Sequence, residues 1–389
     1  MGDRRKSKRI RSKASSETKL KEDKLSELPD PLICQILCHL PTKEAVRTSV
    51  ISTRWKTLWL WIPQLKLKTR EFPDLDAFLS FGNRFFDPTR ASCLDKLKLI
   101  IHDDYEEEGV DVASCLTSWI NAAVKRKIQH LDIFYEIPTS LYNCETLVLL
   151  KLFWMALPDA EFVFLPCLKT MHLQHLRLLP NEATFERLIS SCPVLEELRI
   201  EGDVMSDAIA LRVSSRSLKR LTIMTPMSDE LGGTRVVIDA PRLCFLTIYA
   251  NLSESLIIAD MDSLVKLTLC LGWFGGGLPP AISWFRSFLP RVLKVRDMTM
   301  SSETFELFYH YSKSERLPQF GYMSRLHLTL YVNQLEWLPT VLESCPNLKS
   351  LAQECTDAYN YNEANEICLS YVPECLLSSL EFVDIQDPS

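Results

Sequence analysis

The chain has 389 residues, 47% of them hydrophobic and 24% charged, a mix expected of a globular protein with a large core. Its net charge of -6 is uneven: residues 1–24 carry ten Lys/Arg against four Asp/Glu, so the rest of the chain is acidic by 12 charges. An acidic body excludes a broad grip on nucleic acid, and the lack of an apolar run of about 18 residues excludes a membrane-spanning helix.

Residues 1–22 are rich in Lys, Arg and Ser, lack aromatic residues and predict a disordered basic tail. Within it, Arg4-Arg5-Lys6-Ser7-Lys8-Arg9 fits either a nuclear import signal or a solubilising run. The polar start does not resemble a signal peptide. The 13 cysteines are odd in number and form no Cys-x-x-Cys pair. They predict reduced, mostly buried thiols in an intracellular protein of the nucleus and/or cytoplasm.

Helix punctuation is dense between residues 24 and 61. Pro29 and Pro31 fall where a helix starts, with Asp30 as the expected N-cap. Leu32, Ile33, Ile36, Leu37 and Leu40 follow at i, i+3, i+4 spacing, the pattern of one buried stripe, and Pro41 ends it. Thr42 is the expected cap of a second helix with Ala45, Val46 and Ser49 inward, and Trp55, Leu58 and Trp59 mark a third. So short a piece cannot bury this many large side chains alone. It is expected to bury some of them against another protein.

From residue 93 a different unit recurs: apolar, two residues, apolar, one residue, apolar. It begins as Leu94/Leu97/Leu99 and Ile128/Leu131/Ile133, and continues to Met323/Leu326/Leu328 and a half copy at Leu348/Leu351. Eleven copies occur, with a spacing near 25 residues, the period of leucine-rich repeats. Each copy predicts a short strand that buries its alternate residues only when neighbours stack, giving a parallel sheet on a curved solenoid. The returning limbs look helical where Phe185, Leu188 and Ile189 precede Pro193 and where Leu338, Val341 and Leu342 precede Pro346. Residues 272–290, with Gly275-Gly276-Gly277 and Pro279-Pro280, predict a loop or insertion.

Residues 24–68 resemble a plant-type F-box through Leu28-Pro29-Asp30, Ile33, Ile36-Leu37, Leu40-Pro41-Thr42-Lys43, Ala45-Val46, Thr48-Ser49, Ile51-Ser52-Thr53-Arg54-Trp55 and Leu58-Trp59. The body is similar to the leucine-rich repeats of the plant F-box/FBD/LRR family, and Val372–Val383 is similar to the start of its FBD motif, soon before the last residue, Ser389. The resemblance implies an α/β protein: a disordered tail (1–22), a small all-α F-box (23–68), a leucine-rich-repeat solenoid (69–352) and a C-terminal segment with a partial FBD motif (353–389). It also implies a non-catalytic substrate receptor of an SCF-type ubiquitin ligase, with the F-box on a Skp-type adaptor, the adaptor on a cullin, and the repeats on a target protein. The expected adaptor-binding residues are Leu28, Pro29, Ile33, Ile36, Leu40, Pro41, Val46, Val50 and Trp55, as in a helix-in-groove interface; some of them must instead form the F-box's own core.

No phosphate loop, nucleophile elbow or dinucleotide fingerprint occurs, so no enzyme activity, cofactor or metal is expected. His172 and His175 flank Leu173 in a strand pattern rather than sharing a helix face. Asp103–Glu108 is an acidic run, expected either in a solvated loop or as an attraction for a basic partner. The residue between the last two apolar positions of each copy points away from the core. On that rule His172, Arg199, Thr222, Thr247, Thr268 and His327 line the concave face and are the expected target-binding positions, though such residues are also ordinary surface in any repeat protein. No nucleic-acid or membrane partner is expected. The rival reading is a stand-alone repeat scaffold with no ubiquitin role, whose helical piece caps the first repeat.

Overall fold

The computed structural model describes residues 27–87, 89, 93–102, 112–154, 157–175, 182–202, 210–225, 235–251, 256–259, 261–272, 282–356 and 371–386. The basic tail, the acidic run Asp103–Glu108 and the Gly275–Gly277 segment lie outside them. The chain divides after Ile62 into two compact units.

The first unit contains α1 (Asp30–Leu37), α2 (Thr42–Arg47) and short 3-10 turns over Thr48–Val50 and Leu58–Trp61. Pro29 and Pro41, not Asp30 and Thr42, occupy the N-cap positions, and neither helix has a side-chain cap. Asp30 instead pairs with Arg54, whose Nε donates to Oδ1 at 2.8 Å and whose guanidinium also reaches the Leu28 carbonyl. The pair is largely exposed and adds little energy, but it ties the start of α1 to the chain 24 residues on. The Cys34 thiol donates to the Leu58 carbonyl at 3.7 Å. The expected single buried stripe of α1 is split: Ile33 and Leu37 are buried, whereas Leu32, Ile36 and Leu40 are exposed.

The second unit is built on a 13-stranded parallel sheet. In chain order the strands of the molecule are β1 (Gln64–Lys68), β2 (Lys96–Ile100), β3 (His130–Ile133), β4 (Leu149–Phe153), β5 (Thr170–Gln174), β6 (Glu197–Glu201), β7 (Ala210–Ser214) and β8 (Arg220–Met224). They continue as β9 (Arg235–Asp239), β10 (Phe245–Asn251), β11 (Leu256–Ile258), β12 (Lys266–Gly272), β13 (Asp297–Met300), β14 (Arg325–Tyr331), β15 (Ser350–Thr356) and β16 (Phe382–Gln386). The large sheet runs in chain order from β1 to β16, omitting β7, β9 and β11.

Each of the eleven apolar triplets supplies one strand, with its first residue at the entry. From Leu94 to Leu348 their side chains are almost wholly buried. Burial of each is worth about 1.5–3 kcal/mol, which the sheet repeats strand after strand. Two further copies lie outside these eleven: Ile62/Leu65/Leu67 at β1 and Leu380/Val383/Ile385 at β16. Thus β1 lies in the stretch assigned to the F-box and pairs with β2.

The two-residue gap in the triplet has a backbone reason. After its first apolar residue, the next two N–H groups both donate to one carbonyl of the preceding turn. Asp95 and Lys96 donate to Pro63, Gln129 and His130 to Asp95, Val148 and Leu149 to Gln129, and so on to Glu381 and Phe382 on Lys349. The ladder satisfies the polar backbone where the chain enters the sheet and locks the register.

Helices α3 (Leu75–Phe85), α4 (Val112–Lys125), α5 (Glu182–Ser190), α6 (Ile282–Phe288), α7 (Ser302–Ser314) and α8 (Leu338–Leu342) belong to returning limbs, and α9 (Glu374–Ser378) precedes β16. Between α5 and α6 the limbs return as strands instead: β7, β9 and β11 form a second parallel sheet. The alternation of Leu211/Val213, Val236/Ile238 and Leu256/Ile258, all buried, explains the departure from helix.

At the end of β4, β5 and β6 the residues Trp154, His175 and Gly202 take positive φ of 55°, 51° and 83°. Each donates its N–H to the next strand, at 2.9, 2.7 and 2.7 Å. The His175 ring stacks on Trp154 at 4.4 Å and fills the space above Gly202, where a Cβ would lie 2.3 Å from His175 Nδ1. Gly202→Ala is therefore expected to destabilise the repeat unit by about 1–2 kcal/mol. Adding His175→Ala should recover only the steric part, because the φ cost remains; urea midpoints of the two variants measure this.

Candidate functional site

The first candidate surface is on the small unit. Leu32, Ile36 and Leu40, at i, i+4 and i+8, leave 45%, 41% and 39% of their area exposed, and Val50 and Ile51 are more exposed still. Pro29 and Pro41 are exposed, and Leu28 and Val46 half-buried. Ile33 and Trp55, expected on the adaptor surface, are instead interior residues, at 0% and 4% exposure. The Trp55 Nε1 is buried with no hydrogen-bond partner, a cost of about 1–3 kcal/mol. A ring that fills space regardless of its N–H is a packing element. Leu32 and Ile51, not among the expected residues, are also exposed apolar side chains of this unit; their apolar character next to Ile33 and Val50 was the available signal.

The second candidate surface is the open face of the large sheet. The register brings His172, Arg199, Thr222, Thr247 and Thr268 into one row across five neighbouring strands. The row continues through Thr299, which sequence reasoning missed, to His327. Thr268 departs from expectation: at 8% exposure it is covered. Upstream the same row holds Lys66, Lys98, Asp132 and Lys151. The rule that found His172 applies to these as well. Arg199 is ion-paired with Glu201; His172 lies 3.4 Å from Glu197 and His327 3.3 Å from Glu354.

Burial holds the His172 imidazole below its ordinary value, helped by the charges of Lys151 and Arg199 against the pull of Glu197. Burial, then Lys96, does the same at His130, against Asp95. A histidine whose folded pKa is depressed resists protonation, so the unfolded state binds more protons as pH falls through about 6.5. Stability is therefore expected to fall as pH drops below about 6.5. His172→Gln should flatten that slope, as thermal midpoints across the range would record.

Among the described residues no group of three His, Cys, Asp or Glu is placed to hold a metal, and no helix is long and apolar enough to cross a membrane. The described cysteines are free thiols, and burial pushes those of Cys192 and Cys345 up to about 12.

These two surfaces correspond to two matched regions. The family model for the F-box domain covers residues 25–66, and that for the LRR repeats of FBD-associated F-box protein At5g56370 covers residues 116–270. Full-length similarity then decides the matter. A protein of Arabidopsis thaliana named as an FBD-associated F-box protein, At5g53635, is 53% identical over 94% of this chain and 88% of its own length. The chain belongs to the F-box/FBD/LRR-repeat family. A second Arabidopsis thaliana member, named as F-box/FBD/LRR-repeat protein At2g05300, is 47% identical over 95% of this chain and 85% of its own length. FBD-associated F-box protein At5g22730 of the same plant is 42% identical over 94% and 82%. In this F-box/FBD/LRR-repeat protein the exposed face of α1 is thus part of an F-box, a domain that implies a Skp-type adaptor as partner. Of the row, Asp132, Lys151, His172, Arg199, Thr222, Thr247 and Thr268 lie within the residues matched as leucine-rich repeats.

Proposed function

We propose that this chain is the substrate-recognition subunit of an SCF-type ubiquitin ligase. The F-box docks a Skp-type adaptor, the adaptor connects it to a cullin, and the open face of the repeats holds a target protein for ubiquitination. The chain itself contributes no catalysis: its work is to hold the target near a conjugating enzyme brought by other subunits. Such a task belongs to the nucleus and/or cytoplasm.

The observation that carries this reading is the exposed row Leu32, Ile36 and Leu40 on the smaller unit. Leu32 and Ile36 present the i, i+4 face that a helix lays into a hydrophobic groove, and Leu40 follows in the turn after α1. Leu28, Pro29, Pro41, Val46 and Val50 are the further residues of the proposed contact. The buried Ile33 and Trp55 act by holding the helix in place. On the repeats, His172, Arg199, Thr222, Thr247, Thr268 and His327 are the proposed target-facing row, Thr268 contributing chiefly to its flatness.

The test is co-purification of the full chain with a Skp-type adaptor and a cullin, followed by ubiquitin transfer to a bound protein in the reconstituted complex. Formation of the ternary assembly supports the reading. Failure of the adaptor to co-purify overturns it and favours a stand-alone repeat scaffold.

A further inference from the structure

The repeat unit is acidic, with 30 Lys/Arg against 43 Asp/Glu in residues 63–389, yet one end of its open face has the opposite sign. Strands β1–β4 place Lys66, Lys68, Lys96, Lys98 and Lys151 on that face; Asp132 is its one carboxylate within those four strands, and Glu71, just past β1, pairs with Lys68 at 3.3 Å. Lys66 and Lys98 are direct register partners, about 4.8 Å apart along the hydrogen-bonding direction. Like charges opposite each other on neighbouring strands are destabilising. Asp132 pairs with one of the two: its Oδ2 accepts from Lys98 Nζ at 2.5 Å, and its Oδ1 is buried without a hydrogen-bond partner.

An apolar shelf borders the lysines. The Phe134 and Phe153 rings stack at 3.9 Å, parallel within 1°, and Lys98 Nζ lies 5.9 Å from the Phe134 ring centre. Both rings are half-buried. The surface therefore offers positive charge in three rows, most densely in that of Lys66, Lys98 and Lys151, with a flat aromatic surface beside them. The depressed His130 and His172 are consistent with a positive field, since Lys96 and Lys151 are the charges that hold them down after burial.

We propose that the open face of β1–β4 binds a short, extended acidic segment of the target protein, one that also carries a large apolar side chain for the Phe134–Phe153 shelf. This rests on reading the open sheet face as the target surface. Charge complementarity favours the acid, and the confinement of the lysine cluster to four strands favours a short one. Electrostatic complementarity of this kind acts mainly on association rate and on partner choice.

The test uses the full chain and a fluorescein-labelled peptide of about ten residues, ample to cross four strands about 4.8 Å apart, made of Glu and Asp with a single Leu. Its Gln/Asn counterpart and a thymidine oligonucleotide of equal length serve as comparisons. Fluorescence anisotropy is expected to show binding of the acidic peptide that weakens severalfold between about 50 and about 300 mM salt. The triple variant Lys66→Glu/Lys96→Glu/Lys151→Glu should weaken it by about tenfold or more, while Lys98 keeps its partner Asp132. If that variant does not fold, Lys66→Gln/Lys96→Gln/Lys151→Gln replaces it, with the same direction expected. Equal binding of the Gln/Asn peptide, or no change in a folded lysine variant, overturns the proposal, as does tighter binding of the oligonucleotide. Adaptor co-purification is measured on the same proteins. Its loss in the wild-type chain refutes the ligase reading and leaves the lysine face standing, whereas intact adaptor binding without peptide binding refutes only the face.

Discussion

Gly82→Ala is expected to destabilise the repeat unit by about 3 kcal/mol, the upper end of overpacking costs. The sign is the informative part. Gly82 lies inside α3, where replacing Gly by Ala normally gains about 1 kcal/mol of helix propensity. Here a Cβ would stand 2.1 Å from two ring carbons of Trp119 on α4. Trp119 cannot yield: it is 1% exposed, its Nε1 donates to Asn83 Oδ1 at 2.8 Å, and its ring stacks on Phe86 at 5.6 Å and meets Phe78 at 5.4 Å. The glycine is thus a slot for an indole. Trp119→Leu alone should cost about 3 kcal/mol through the vacated space, and adding Gly82→Ala to it should cost far less than in the wild type. That coupling is the mark of a shared contact. Tryptophan fluorescence during urea unfolding reads all three variants; additive effects, or stabilisation by Gly82→Ala, would contradict the packing described.

How much of this was legible in the sequence depends on the kind of regularity involved. The parallel sheet was, because Leu97, Leu131, Leu150 and their successors repeat one short instruction, and each strand can be buried only by its neighbours. Its two terminal copies escaped for separate reasons. Ile62/Leu65/Leu67 falls inside the stretch that resembles an F-box, and Leu380/Val383/Ile385 leaves Val383 and Ile385 exposed, so neither stood out. The strands β7, β9 and β11 were missed because the returning limbs vary more in length and pattern than the triplets do.

The sites were less legible. Spacing gave α1 one wide stripe, but which half is covered depends on what packs against it, and only the three-dimensional unit assigns Ile33 and Leu37 inward and Ile36 and Leu40 outward. An aromatic such as Trp55 suits an interface centre and a small core equally well. The lysine face is harder still to read: Lys66, Lys98 and Lys151 are 32 and 53 residues apart, and only register brings them together.

Ile36→Asp combined with Leu40→Asp is expected to abolish adaptor co-purification while leaving the chain folded. Both side chains are about two-fifths exposed in the free chain, so the carboxylates stay hydrated there and the stability cost should remain within about 1 kcal/mol. In the proposed complex the same carboxylates would enter an apolar groove without partners. At roughly 2–3 kcal/mol for each desolvated polar group as a lower bound, affinity should drop by at least about a thousandfold for the pair. Ile33→Asp separates this effect from damage to the module: with its side chain at 0% exposure, an unpaired carboxylate there should unfold the unit and remove adaptor binding with it. Circular dichroism and limited proteolysis across residues 27–62 distinguish the two kinds of loss. The pairing matters because Ile33 and Ile36 are three residues apart on one helix and chemically identical, so only their direction differs. If the Ile36→Asp/Leu40→Asp chain still co-purifies with the adaptor, the exposed row is not the docking face and the proposed function loses its main support. Loss of the adaptor from a folded chain would instead tie docking to that row rather than to the integrity of the helix beneath it.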